Sequence, residues 1–219
     1  MGGTIMTEQE RMKAGYIWLD DEENMALQAR AKGLVEKFNA LPPEAMEERM
    51  ALNKELFGEC GEHVWIVPPI KLAVGKYISI GKDTYMNAGT TFIDDWKITI
   101  GENCLFGPNV TLCTTGHPIA PEHRGDGMYS FPITIGNNVW LGANTIVMPG
   151  VTIGENSVIG AGSVVTKDIP ANVVAFGSPC RVYREINERD QEYYFKDRRF
   201  DEQPAREEKD IPHLSFLED

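Results

Sequence analysis

Residues 133–168 read ITIGNN-VWLGAN-TIVMPG-VTIGEN-SVIGAG-SVVTKD, and the third position of every hexad is aliphatic: Ile135, Leu141, Val147, Ile153, Ile159 and Val165. Glycine follows it at Gly136, Gly142, Gly154 and Gly160, with Met148 and Thr166 in the other two hexads. The first column (Ile133, Val139, Thr145, Val151, Ser157, Ser163) is small or β-branched. A strict period of six means one short strand plus one tight corner. Three such units close a triangular coil of about eighteen residues, and coils stack by parallel strand pairing. The aliphatic column then fills the prism, and the glycine falls where the backbone turns, so a side chain there strains the turn or crowds the next face. A β-sandwich keeps no such register over six hexads. An α/β fold needs crossover helices for which there is no room. The chain is therefore expected to be all-β, a parallel β-helix.

The period continues upstream with interruptions. Ile80, Met86 and Phe92 are six apart, as are Ile100, Phe106 and Leu112 after a two-residue insertion around Asp94-Asp95. Residues 113–132 (CTTGHPIAPEHRGDGMYSFP) break the pattern entirely and read as a projecting loop. Residues 7–59 have helical texture instead. Thr7 and Glu10 have capping-box spacing. Met25, Leu27, Ala31, Leu34, Val35 and Phe38 follow a 3.6-residue period that Pro42-Pro43 stops. A second helix over about 43–57 has Met46, Met50, Leu52 and Leu56 on its apolar positions. Neither helix buries its stripe alone, so both should lean on the β-helix. The expected organisation is a helical cap over 1–60, the β-helix over 61–183, and a charged extension over 184–219. Residues 184–200 are expected as a short helix or an extended arm, and 201–219 as loosely ordered.

A formal net charge of -12 weighs against nucleic acid and anionic membrane as partners. An anionic cofactor would have to be held by a few placed basic residues. The four cysteines (Cys60, Cys104, Cys113, Cys180) lack C-x-x-C spacing and are expected as reduced thiols. The N-terminus has no apolar leader, and no segment is long and apolar enough to span a bilayer, so the cytoplasm is the expected location.

Chemistry is expected where the repeat breaks. His117 stands beside the last regular hexad before the loop, held between Gly116 and Pro118, and its imidazole suits general-base work near neutral pH. His123 reads as surface and His63 as structural. No His/Asp/Glu spacing suggests a metal site. Asn87 lies one coil before His117, close enough across stacked coils to donate to developing oxyanion charge, or else belongs to an asparagine stack inside the prism. Asp94-Asp95 are either solvated or acceptors for a hydroxylated substrate. Trp140 occupies an outward column and points to a ligand face or subunit contact. Lys167 and Arg181 are candidate phosphate contacts.

The run CTTGHP, the segment MYSFPITIGNNVWLGANTIVMPGVTIGENSVIGAGSVVTKDIPANVVAFGSPCRV, and REINERDQEYYFKD together resemble the hexapeptide-repeat acyltransferases. Within these, the chain is similar to the galactoside O-acetyltransferase group and slightly less so to maltose O-acetyltransferases. The leader ERMKAGYIWLD and KFNAL share the likeness, which covers about residues 7–200. The resemblance implies a left-handed coil, a hand that runs against the usual right-handed crossover preference and that periodicity does not give. It also implies a homotrimer with acetyl-CoA between subunits and direct transfer to a sugar hydroxyl. His117 matches the family's catalytic histidine. Asn87 matches a position near both the acetyl end and the acceptor. Asp20 and Asp95 match acceptor-contacting carboxylates, and Tyr85 and Met128 match wall positions. Trp140 and Ala143 match the pantetheine face. Ala161, Thr166 and Lys167 match contacts toward the nucleotide, and Arg181 with Arg184 match the residues near its phosphates.

Three departures fall on the acceptor side. Ala73 stands where the galactoside enzymes carry a serine, Tyr16-Ile17-Trp18 is bulkier than the family leader, and the loop between His117 and Met128 is one residue shorter. Two other readings compete. One is a transferase of related fold acting on an antibiotic or an amine. The other is a non-catalytic β-helix scaffold, which would need ligating histidines at its subunit interface.

Overall fold

A computed structural model describes residues 5–204. Three helices precede the solenoid: α1 (Glu8–Lys13), α2 (Glu22–Ala40) and α3 (Met46–Leu56). The capping box at Thr7 and Glu10 forms as its spacing predicts. In α2 the buried stripe is Asn24, Ala31 and Phe38, flanked by half-buried Leu27, Leu34 and Val35. Met25 is 52% exposed, so the expected apolar face is turned by one residue at its start. In α3, Leu52 and Leu56 are buried as expected, but so are Arg49 and Asn53. The Arg49 guanidinium lies over the rings of Phe38 and Trp65 and donates to the carbonyls of Leu41 and Pro42. It thereby places a cation at the electronegative C-terminus of α2. Phe38, Leu52 and Leu56 merge with the solenoid core, so the cap closes the open end of the prism.

The remainder is a parallel β-helix of three sheets. The first face stacks Glu59–Cys60, Ile78–Ile80, Ile98–Ile100, Ile133–Ile135 and Thr152–Ile153. The second stacks Trp65–Ile66, Tyr85–Met86, Leu105–Phe106, Trp140–Leu141, Val158–Ile159 and Val173–Gly177, and Cys180–Glu185 folds back antiparallel at its end. The third stacks Lys71–Leu72, Thr91–Ile93, Thr111–Cys113, Ile146–Val147 and Val164–Val165. All six residues of the aliphatic column are buried, and the first column is buried with them. The tail makes a short helix α4 (Glu188–Glu192) and a small hairpin of Tyr193–Phe195 with Arg198–Arg199, so it is neither only a helix nor only an arm.

The corners correct the role given to glycine. The left-handed backbone sits in the sixth column, at Asn138, Asn144, Gly150, Asn156 and Gly162. Asparagine tolerates that conformation and, at Asn138, Asn156 and Asn172, its amides hydrogen-bond in a ladder along one exposed corner. His63 and Asp83 continue that corner, both at positive φ and hydrogen-bonded to each other, which is the structural role expected of His63. The fourth-column glycines have no positive φ. They are small because the next coil passes over them: a Cβ on Gly142 would lie 2.5 Å from the Ala161 nitrogen.

Coil length changes along the prism. Trp65, Tyr85 and Leu105 pair in steps of 20 residues, Leu105 to Trp140 is a step of 35, and Trp140 to Val158 is 18. The extra residues all enter at one corner, between the third and first faces. They are residues 73–76, 94–97 and the long loop, stacked one above another.

Candidate active site

The long loop has more structure than its composition suggests. Thr115–Gly116 pairs antiparallel with Tyr129–Ser130, so the neck is a hairpin, and Pro121–His123 forms a 3-10 turn near the exposed tip. The two strands are two residues each, too short to leave a periodic signal. His117 follows the first of them, at the neck. Its Nδ1 lies 3.2 Å from the carbonyl oxygen of Gly127. A carbonyl only accepts, so Nδ1 carries the proton, and in the neutral ring Nε2 holds the lone pair.

Gly127 is placed by the leader. Trp18 and Met128 pair antiparallel, each N–H donating to the other's carbonyl at 2.9 Å. Gly127 adopts φ 136, and a Cβ there would strike the Trp18 carbonyl oxygen, so only glycine fits. Trp18 itself is buried with Met12 and Trp96, and Tyr77 and Met128 pack around them. The N-terminal leader thus fixes the strand that orients the histidine. The His123 side chain hydrogen-bonds Asp126 on the exposed tip, as a surface residue should.

Asp94 and Asp95 part company. Asp94 is completely buried and collects the backbone N–H groups of Ala73, Val74 and Gly75, tying the first insertion to the second. Burial pushes its carboxyl up to about 6 in spite of those donors. Asp95 is partly exposed. Burial raises its pKa, the hydrogen bond from Thr115 opposes the rise, and the charge of Asp20 adds to it. Asp20 is exposed at the end of the leader and accepts a hydrogen bond from Gln28. Asp20, Ala73, Asp95, His117 and Met128 therefore gather at the single corner where the repeat is interrupted.

Asn87 and Tyr85 are elsewhere. Tyr85 belongs to the outer column of the second face, in register with Leu105 and Trp140. Asn87 lies at the corner between the second and third faces, a different corner from His117, so the expected approach of the two along stacked coils does not occur within one chain. Nor does Asn87 join an internal asparagine stack. Its Oδ1 accepts from Ala88, and its Nδ2 has no acceptor among the described residues. Below it the same corner runs through Gly107, Ala143 and Ala161, a shallow column of small side chains. Trp140 is 53% exposed beside that column, outward as its position in the hexad predicts.

Thr166 and Lys167 are exposed at the corner after Val164–Val165. Neither Lys167 nor Arg181 has a carboxylate partner among the described residues, whereas Arg184 is gripped by both oxygens of Asp190 at 2.6 and 2.7 Å. That pairing pulls the Asp190 carboxyl down to about 2 and leaves Arg184 less available to a phosphate than sequence suggested. All four cysteines are free thiols. Burial raises every one, Cys60 to about 11, so none is poised as a thiolate nucleophile. Among the described residues no group of three or more His, Cys, Asp or Glu side chains could hold a metal, and no helix is long and apolar enough to cross a membrane. A cavity of about 360 Å³ between α3 and the first coil, lined by Asn53, Cys60 and His63, lies apart from these corners.

Sequence reasoning passed over Thr115, Ser130 and Gly127, because contacts between the leader and the loop leave no spacing to read. Trp18 stood out only as bulky.

Comparison with known proteins agrees with this architecture. Residues 132–167 match the bacterial transferase hexapeptide family (six repeats), residues 97–119 the hexapeptide repeat of succinyl-transferase, and residues 11–61 the maltose acetyltransferase hexapeptide capping motif. The galactoside O-acetyltransferase of Escherichia coli K12 is 54% identical over 194 residues, covering 88% of this chain and 96% of that protein. A solved galactoside acetyltransferase in complex with coenzyme A superposes with a TM-score of 0.87 at 53% identity, covering 89% and 98% of the two chains. A maltose O-acetyltransferase from Clostridium difficile 630 gives 0.81 at 42% identity, covering 84% and 99%. With the capping helices, the six-residue coils and this identity over nearly its whole length, the chain belongs to the hexapeptide-repeat acetyltransferases.

Proposed function

We propose that this protein transfers the acetyl group of acetyl-CoA directly to a hydroxyl of a sugar, galactoside-like or glucoside/maltose-like, with His117 as general base. The observation that carries the reading is the bond from His117 Nδ1–H to the Gly127 carbonyl, which fixes the tautomer and leaves Nε2 to take the acceptor proton. The deprotonated oxygen then forms the ester bond to the acetyl carbon as the carbon–sulfur bond breaks. The proton held on His117 passes to the departing thiolate. Asp20 and Asp95 accept hydrogen bonds from acceptor hydroxyls, while Ala73, Tyr85 and Met128 shape the wall. The raised cysteine thiols argue against an acyl-enzyme.

Acetyl-CoA supplies an activated thioester; Trp140, Ala143 and Ala161 would carry its pantetheine arm, and Thr166, Lys167 and Arg181 its nucleotide end. The small-residue corner and the two unpaired cations suit such a ligand. Arg184 takes part only if Asp190 yields it. Asn87 Nδ2 is the donor for the developing oxyanion. Because Asn87 and His117 occupy different corners of one prism, the complete site forms between copies of a homotrimer. Outward apolar side chains on the second and third faces (Leu105, Trp140, Ile93, Ile146, Met148) support that assembly. The cytoplasm is the compartment that suits four free thiols.

Thiol release from acetyl-CoA with a panel of galactosides, glucosides, maltose and chloramphenicol tests the reading. A sugar should elicit release, and His117→Ala should lower kcat by about 10²–10⁴-fold with unchanged thermal stability. Release with no sugar, or an undiminished His117→Ala variant, would overturn it. Light scattering should give a trimer.

A further inference from the structure

Helix α1 is six residues long, too short to persist on its own. Two of its side chains nevertheless reach the leader on either side of Trp18. Arg11 Nε donates to the carbonyl oxygen of Ile17 at 2.6 Å, and the N–H of Leu19 donates to Glu8 Oε2 at 2.7 Å. Glu8 and Arg11 stand one turn apart with 4.0 Å between their charged groups, so one ion pair grips both peptide groups that flank Trp18. Met12 is 1% exposed and packs with Trp18. The Thr7–Glu10 capping box secures the start of the helix, and bonds from Gly15 and Tyr16 back to Met12 and Arg11 secure its exit. The grip carries through to His117. Trp18 shares two backbone bonds with Met128, and a Cβ on Gly127 would meet Ile17 Cγ2 as well as the Trp18 carbonyl oxygen. Gly127 in turn accepts from His117 Nδ1. The Trp18 indole also donates to Ser130 Oγ, which hydrogen-bonds Thr115 Oγ1, so one leader residue ties both strands of the neck. From Arg11 to the imidazole, every step is a hydrogen bond or a backbone contact.

We propose that Glu8 and Arg11 are positioning residues for the base: as a clamp on residues 17–19 they hold the Gly127 carbonyl against His117 Nδ1, and so keep the imidazole in its productive orientation and tautomer. The proposal rests on the reading of His117 as the general base. Neither residue touches substrate or the reacting atoms. Their side chains are 29% and 40% exposed, so exchanging them removes little core packing. The clamp gives α1, which contributes one side chain to the core beneath the leader, a part in turnover.

Steady-state kinetics on the full-length protein, with the sugar that gives the strongest release in the panel, tests it. Arg11→Met keeps the aliphatic stem and removes the donor to Ile17. Glu8→Ala removes the acceptor for Leu19. Each should lower kcat about tenfold, part of the roughly 10²–10⁴-fold that a positioned base contributes, with the KM for acetyl-CoA unchanged. Arg11→Lys keeps a cationic donor and should recover most of the loss. In the His117→Ala background neither variant should alter the residual rate, because the clamp acts only through the imidazole. A general structural role would instead give the same factor in both backgrounds, and that result, or an unaltered kcat in both single variants, overturns the clamp. Selective 15N labelling of histidine reads the ring without turnover. His117 should be the Nδ1–H tautomer in the wild type and show the Nε2–H form in Arg11→Met, and a His117 signal identical in the two overturns the clamp as well. Glu8→Ala keeps the test open if Arg11→Met folds poorly. An undiminished His117→Ala sinks the general-base reading, and the clamp with it. A crippled His117→Ala beside silent Glu8→Ala and Arg11→Met sinks the clamp alone.

Discussion

The lower and upper parts of the prism are built from the same hexads but differ in what they can do. Above residue 133 the coils advance 18 residues and then 16, and no insertion leaves a corner. Below it they advance 20, and the surplus leaves the third-to-first corner at residues 73–76 and 94–97 before the long loop emerges from the same edge. Regular coils give a wall whose side chains are either buried or outward on flat faces. Interrupted coils give concavity, because successive inserts stack and enclose space. Asp20, Ala73, Asp95, His117 and Met128 meet there. The small-residue column and Trp140 lie on or beside the regular part.

That division predicts which substitutions cost stability and which cost chemistry. Leu141→Ala, in the regular core, should lose about 2–5 kcal/mol in denaturant unfolding while the acceptor KM stays put. A lost acceptor KM without lost stability would break the comparison. Asp94 sharpens it from the other side, since it is buried yet belongs to the interrupted corner. Its carboxyl is raised from 3.8 in the unfolded chain to about 6 in the fold. The folded state therefore binds the proton more tightly, and the stabilisation from the neutral form is complete below about pH 4 and is lost as pH rises through about 6. The shift corresponds to about 3 kcal/mol. The stability difference between wild type and Asp94→Asn should therefore change by about that amount between pH 4 and pH 7. A pH-independent difference would mean that the backbone donors fully offset burial, and a change of the opposite sign that they outweigh it.

Gly142→Ala should destabilise by about 1–3 kcal/mol, because the methyl meets the backbone of the next coil. Gly33 in α2 has nothing within 4 Å of its would-be Cβ. Gly33→Ala should stabilise by about 0.5–1 kcal/mol, the smallest effect of the set. Both are read from thermal melts, and equal signs would contradict the crowding account of the fourth-column glycines.

Sequence alone determined the prism. A period of six that puts an aliphatic side chain inward at every turn specifies a three-sided coil, though not its hand, and the capping box and the Pro42-Pro43 stop bounded the first helices equally well, because each signal is local. The importance of His117 was also legible, since the loop that carries it is the largest break in a regular pattern. Tertiary structure decided the rest. Asn87 and His117 look like neighbours when coils are counted, yet a coil has three corners, and counting residues does not say which corner an insertion displaces. Asp94 and Asp95 are adjacent in sequence, but one is sealed under Ala73 and Gly75 while the other faces Asp20. Arg184 reads as a free cation until α4 brings Asp190 against it. The tautomer of His117 depends on a carbonyl ten residues away, held by a leader more than a hundred residues upstream. Interior columns follow from one-dimensional order because each coil repeats its neighbour. The site joins segments that share no period, and only their packing brings them together.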